Sequence, residues 1–232
     1  MKCMKARILK AENLSPTAKL FSLEVLSGDF SFAPGQYMSF NVAGAIRTYS
    51  ICSLPGQLPR FEFCVRQVAG GIGTGFLNAH VGKEIELMEP TGDFVLPTGA
   101  EASGPKSILF VVAGVGIAPV RPMLKDWLMK NPEARVKLAY KFHDESEYLF
   151  REELEQLAKE HLNFKLTTVH NPPQSPLILR GEEKWGSPSL KIREGRGELV
   201  FLVGSPPFVA RTLQSLRQLG YNQENIKSDI WE

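Results

Sequence analysis

The sequence predicts two domains of different class, an antiparallel β-barrel of six short strands over residues 1–100 and an α/β domain with a parallel sheet over 101–232. Three observations carry this reading. Short β-type runs broken by turn residues fill the first hundred positions. The period changes after a turn-rich stretch at 97–105, and strand-like and helix-like segments alternate from there to the end.

In the first half the strand segments are ARIL, KLFSLEVL, QYMSFNV, RTYSIC, RFEFCVRQV and KEIELME, separated by Pro and Gly. Their spacing suits an antiparallel barrel. Phe61 and Phe63 alternate with Glu62 and Cys64, as in a strand with one buried face. An ordinary β-sandwich without a ligand is the alternative. The second half opens on the apolar run SILFVVAGVGIAP and the helix-like PVRPMLKDWLMK. VKLAYKF, a helix through YLFREELEQLAKEH, FKLTTVH, a Pro/Gly-rich excursion to about Gly197, LVFLVG, and a helix over PFVARTLQSLRQLG follow, with Gly220 as the stop signal. Such alternation implies a parallel sheet covered on both faces. No internal repeat points to a solenoid.

Composition narrows the function. Hydrophobic residues make up 43% and charged residues 22%, the balance of a globular protein, and the formal net charge of +2 comes from intermixed signs. No basic stripe offers itself to nucleic acid. No stretch approaches the length of a membrane span, and the first residues lack the apolar run of a signal peptide, so the expected location is cytoplasmic. Cys3, Cys52 and Cys64 are odd in number and without C-x-x-C spacing, which argues against a disulfide framework, a metal site or a cluster held by this chain alone.

Four constellations carry chemistry. In Arg47-Thr48-Tyr49-Ser50, strand alternation places Arg47 and Tyr49 on one face and Thr48 and Ser50 on the other. An arginine fork suits a pyrophosphate, a phenol suits the face of a heterocycle, and Ser50 could bond a ring nitrogen. A surface arginine beside a packed tyrosine is the plainer reading. Gly70-Gly71-Ile72-Gly73-Thr74-Gly75 reads as a turn running into a short helix at FLNAHV, able to converge N–H groups and the Thr74 hydroxyl on an anion, or else as a hairpin loop. Gly114-Val115-Gly116-Ile117-Ala118-Pro119 follows a buried strand and precedes a helix, the place where Rossmann-like sheets bind nucleotides. It is not the full G-x-G-x-x-G fingerprint. Val203-Gly204-Ser205-Pro206-Pro207 ends another buried strand and opens the last helix, a feature that a plain strand-to-helix turn also explains.

Taken in this order along the chain, these elements resemble the ferredoxin–NADP⁺ reductase superfamily. Pro34-Gly35-Gln36-Tyr37 looks like the segment before the flavin strand, and Arg47-Thr48-Tyr49-Ser50 matches an R-x-Y-S flavin motif. Gly71, Gly73 and Thr74 fit a pyrophosphate turn, Gly82 to Phe94 is similar to the stretch that closes the barrel, and Gly114 to Pro119 match a G-x-G-I-A-P nicotinamide motif.

The resemblance implies FAD with its pyrophosphate at Arg47 and Thr74, its ring against Tyr49 and N5 near Ser50, and NADH or NADPH as substrate. Three features depart from or qualify the pattern. Val203 and Ser205 stand where many members have the cysteine and first proline of Cys-Gly-Pro-Pro, which questions hydride geometry. Asp229-x-Trp231 is similar to an acid-x-aromatic ending in which the aromatic covers the flavin. His143 and Asp144 stand after VKLAYKF, where relatives that use NADPH place a phosphate-binding arginine; the reading leans to NADH, with Lys141 still able to reach a phosphate. The expected function is a flavin-dependent NAD(P)H reductase serving a separate electron-acceptor protein, with any iron–sulfur partner a separate chain. The alternatives are an accessory electron-transfer subunit and a non-catalytic nucleotide sensor. Arg47→Ala is expected to weaken FAD binding by ~1–3 kcal/mol, the worth of a charged hydrogen bond; a titration of the apoprotein with FAD that gives wild-type affinity would refute the pyrophosphate assignment.

Overall fold

The structure, a computed structural model, describes residues 3–27, 30–98, 107–170 and 198–231. Most of the turn expected at 97–105, the excursion ending near Gly197, and Glu232 lie outside the described residues. The chain divides into two compact units, residues 1–96 with 118–127 and residues 97–117 with 128–232.

In the first unit six strands run antiparallel. β1 (Cys3–Ser15), β2 (Ala18–Val25), β5 (Arg60–Arg66) and β6 (Glu84–Met88) form a sheet in the order β5-β2-β1-β6, and β3 (Tyr37–Val42) pairs with β4 (Ala45–Ser50). Single bridges, Ile51 with Phe63 and Tyr37 with Thr91, join the two sheets and close the ring. The interior is aromatic: Phe21, Phe40, Phe61 and Phe63 are buried with Met38, Ile51, Leu77 and Leu87. β1 is far longer than ARIL suggested. Its register slips between Ile8 and Lys10 and again between Asn13 and Ser15, and these irregularities let one strand bend around the ring. The helix after β5, α1 (Ile72–Ala79), starts earlier than FLNAHV suggested, because Gly71 is already extended and serves as its N-cap.

The second unit is a five-stranded parallel sheet in the order β11-β10-β7-β8-β9, from β7 (Ser107–Ala113), β8 (Arg135–Phe142), β9 (Phe164–His170), β10 (Leu199–Gly204) and β11 (Ile226–Ile230). The central β7 is buried on both sides, which is why its sequence is an unbroken apolar run. One face, Leu109, Val111, Ala139, Val169, Val200 and Leu202, is covered by Val209 and Leu216 of α4 (Pro206–Gln218). Gly220 ends α4 at a φ of 83°, with the Tyr221 N–H returning to the Leu216 carbonyl. α3 (Arg151–Glu160) begins three residues later than the pattern suggested, since Phe150 is left-handed at a φ of 56° and cannot continue a helix. β11 was not foreseen: it is an edge strand of five residues in which Ile226 alone is buried, so no apolar period marks it.

The amino edge of this sheet holds a polar clamp. Glu198, 2% exposed just before β10, accepts bonds from Ser107 (2.5 Å) and Tyr221 (2.8 Å) and pairs with Lys137 (3.2 Å). Burial, first, and then the Glu198 charge push the Tyr221 phenol above its usual range, so it stays a donor. Removing the carboxylate leaves three groups without their acceptor. Glu198→Ala is expected to lower stability by about 3 kcal/mol and Tyr221→Phe by roughly 1 kcal/mol in urea unfolding; equal and negligible losses would show that the clamp contributes nothing.

Candidate functional site

The first constellation assembles in the barrel. β4 pairs with β3 so that Arg47 lies opposite Phe40 and Tyr49 opposite Met38. The Tyr49 ring lies 5.5 Å from Phe40 and 6.1 Å from Phe63, which fixes its plane against the aromatic core. Arg47 and Tyr49 both close on Gly73: a Cβ there would collide with the Tyr49 hydroxyl and come within 3.2 Å of the Arg47 stem. Only glycine permits this approach between the first turn of α1 and the strand. Thr74, buried next to it, bonds Tyr49 and donates to the Arg66 carbonyl (3.3 Å). The structure therefore brings Arg47, Tyr49, Gly73 and Thr74 together at one helix end.

The electrostatics of this cluster favour an anion. Gly70 and Gly71 make the turn, and the N–H groups of Ile72, Gly73 and Thr74 fall in a first helical turn, where no intrahelical acceptor exists. Arg47 donates to the neighbouring Ile46 carbonyl (2.9 Å), which leaves most of its five N–H donors for a ligand. Burial raises the pKa of Tyr49, with the Thr74 bond and the Arg47 charge opposing, and the phenol remains neutral. Thr48 is exposed on the other face and shares a bond with Ser39 (3.2 Å). Ser50 is half-buried opposite Tyr37 at the end of β4. A guanidinium, a helix N-terminus and a flat phenol fit the pyrophosphate and ring of FAD.

The other constellations lie in the second unit, except Ala118 and Pro119, which group with the first. β7 and β10 are neighbours although β8 and β9 intervene in sequence, so the sheet order reverses between them, which is where such sheets bind nucleotides. Gly114 leaves β7 at a φ of 52°, and the hydroxyl of the fully buried Tyr140 holds its carbonyl at 3.1 Å. Gly116 is buried under the end of β10: a Cβ would stand 3.0 Å from Val203 Cγ1 and 3.2 Å from the Trp231 indole nitrogen. Ile117, Ala118 and Pro119 are buried and begin α2 (Ile117–Lys130). Gly204 is buried beside Phe208, Ser205 is the N-cap of α4, and Pro206 occupies its first turn.

Trp231 follows β11, and its backbone N–H donates to the Gly204 carbonyl at 3.3 Å. Its ring rests on the turn at Gly114 and Gly116, so Val203, Gly204 and Trp231 frame the same glycines. Beyond β8, His143 is exposed, and Asp144 accepts from the Ser146 hydroxyl (2.5 Å) and N–H (2.8 Å). Those two bonds hold Asp144 below the usual carboxylate range, so it is ionised at neutral pH. Lys141 is lowered by burial and then by the charge of Arg211, which marks two cations near each other at this edge. No group of metal-ligating side chains occurs among the described residues.

Sequence reasoning missed Tyr140, whose only signal was one hydroxyl in an apolar strand, and Trp231's place on the glycine turn, which depended on the unforeseen β11. It also missed Arg121 of α2, a cation two residues after the glycine–proline motif, which bonds the Cys52 carbonyl and Glu62.

Comparisons with known proteins match a domain family to each half of the chain. The oxidoreductase FAD-binding domain family matches residues 5–96, and the oxidoreductase NAD-binding domain family matches residues 110–212. Flavohemoprotein B of Dictyostelium discoideum is 26% identical across 96% of this chain, and the chain spans 57% of that protein's length. The reductase component of the naphthalene 1,2-dioxygenase system of Pseudomonas putida is 30% identical across 97% of this chain and 70% of its own length. An Amycolatopsis cytochrome P450 reductase has the same fold at a TM-score of 0.84 and 22% identity, covering 99% of this chain and 69% of that one. No described helix is long and apolar enough to cross a membrane. With an FAD-binding barrel, an NAD-binding parallel sheet and relatives of this extent, the chain belongs to the ferredoxin–NADP⁺ reductase superfamily.

Proposed function

We propose that the protein is a flavin-dependent NAD(P)H reductase in which residues 1–100 hold FAD, residues 101–232 bind the nucleotide, and electrons pass to a separate acceptor protein. The observation that carries this reading is the closure of Arg47 and Tyr49 on Gly73 at the N-terminus of α1. FAD, when bound, would supply the redox chemistry, taking up a hydride from the nicotinamide as the nucleotide is oxidised and passing the two electrons on to the acceptor. Arg47 and the first N–H groups of α1 neutralise the pyrophosphate. Tyr49 would orient the flavin ring from the barrel, and Ser50 would offer its hydroxyl to that ring.

The nucleotide turn at Gly114–Pro119 and the end of β10 at Gly204, Ser205 and Pro206 receive the nicotinamide half. Val203 contributes packing there and no thiol. Trp231, seated on those glycines, shields the turn from water and yields its place to the incoming ring. Asp144 opposes a 2′-phosphate and accepts from a free ribose hydroxyl beside His143, which favours NADH. The acceptor is an iron–sulfur protein or oxygenase component, by analogy with the dioxygenase reductase relative.

A second reading, an accessory subunit that works docked to a larger complex, is favoured by the exposed side chains of Ile46 (48%), Val68 (60%) and Ile72 (47%) around the same turn. An anaerobic titration of the flavin-loaded protein tests the main reading. NADH is expected to bleach the flavin band faster than NADPH, and Asp144→Ala to narrow that difference. A band that neither nucleotide bleaches refutes the reductase. Gly73→Ala is expected to cut FAD affinity at least tenfold with the fold retained, as followed by flavin fluorescence; normal affinity would show that the close approach at Gly73 is not part of the flavin site.

A further inference from the structure

Arg121 is the fifth residue of α2, the helix that the Gly114–Gly116 turn opens. Its Nη1 donates to the Cys52 carbonyl at 3.0 Å and pairs with Glu62 at 2.9 Å. Cys52 lies two residues beyond Ser50, where the chain leaves β4. The backbone there is bonded on each side: Ile51 N–H reaches the Gln36 carbonyl at 3.0 Å, Cys52 N–H reaches the Glu62 carbonyl at 2.8 Å, and Ser53 Oγ accepts from Glu62 N–H at 3.0 Å. Arg121 supplies the donor for the Cys52 carbonyl.

The pair is largely enclosed, with side-chain exposures of 13% for Arg121 and 23% for Glu62. An enclosed ion pair seldom stabilises more than an apolar replacement would, because desolvation consumes the attraction. What the pair does supply is geometry, a guanidinium held in one place on the Cys52 carbonyl. The thiols nearby are not its counter-charge, since burial raises both Cys52 and Cys64, the latter to about 12, and they stay protonated. Glu62 fills that role, aiming the guanidinium at the carbonyl that follows the flavin motif. Met123, two residues further along α2, has its sulfur 3.0 Å from where a Cβ on Gly35 would stand, so the same helix also seats on the turn before β3.

We propose that Arg121 is a positioning residue for hydride transfer, tying the helix opened by the nucleotide turn to the backbone just past Ser50 through the Cys52 carbonyl, with Glu62 orienting it. Arg121 acts through the Cys52 carbonyl, and its effect is on the placement of the reacting end of the flavin strand. The proposal rests on the reductase reading, and it predicts a defect in rate without a defect in binding.

Stopped-flow reduction by saturating NADH tests it in wild type, Arg121→Met and Arg121→Lys. Arg121→Met is expected to keep its FAD and to bind NAD⁺ within threefold of wild type. Its flavin reduction should be about 10–100-fold slower, the cost of a small misplacement, with a weakened nicotinamide–flavin charge-transfer band. Arg121→Lys, which keeps the cation and loses the fork, should recover part of the rate. Reduction within twofold of wild type in Arg121→Met overturns the proposal, as does a rate loss matched by an equal loss of FAD or NAD⁺ affinity. If Arg121→Met does not fold, Arg121→Lys alone decides: a slowed reduction with normal binding supports the assignment and a wild-type rate overturns it. A wild-type flavin that no nucleotide reduces would defeat the reductase reading itself, an outcome separate from either variant's.

Discussion

The approach of α1 to β4 at Gly73 is the constraint on which the proposed flavin site depends. One missing Cβ lets a helix N-terminus stand directly against an arginine stem and a tyrosine hydroxyl. Helix dipole, guanidinium and phenol are thereby brought to one point, and none of the three alone would distinguish an anion site from an ordinary barrel loop. Thr74 locks the arrangement by bonding Tyr49 and the Arg66 carbonyl. The aromatic core behind Tyr49 then sets the plane of the ring by packing.

The second unit solves a similar problem by a different route. Its nucleotide turn is crowded from above by Val203 and Trp231 and held from below by Tyr140, so both glycines are sites of close contact. The carboxyl edge of the sheet combines fixed backbone with charged loops: Asp144 is held ionised by Ser146, while Lys141 and Arg211 add positive potential. This edge therefore carries both signs of charge beside the glycine turns.

Much of this was legible in the residues. Period-two alternation located the barrel strands, the unbroken apolar run located β7, and Gly220 marked the end of α4. The glycine-rich turn was placed correctly in sequence, but the start of α1 was not, because Gly71 acts as a cap where composition suggested a loose loop. β11 escaped notice because an edge strand with one buried side chain leaves no periodic trace, and with it went the location of Trp231. Arg121 and Tyr140 were invisible for another reason. Each bonds a backbone carbonyl far along the chain, 69 and 26 residues away, and a carbonyl has no letter in the sequence.

The clamp at Glu198 carries a consequence for how such a protein diverges. The groups that lock the parallel sheet, Ser107, Lys137, Glu198 and Tyr221, sit at its amino edge, while the glycine turns, Asp144 and Val203 sit at the opposite edge. Loops at the carboxyl edge can therefore exchange residues without weakening the polar lock. Val203 and His143 lie at the far end of these strands from the lock, so substitutions at either position leave its bonds in place.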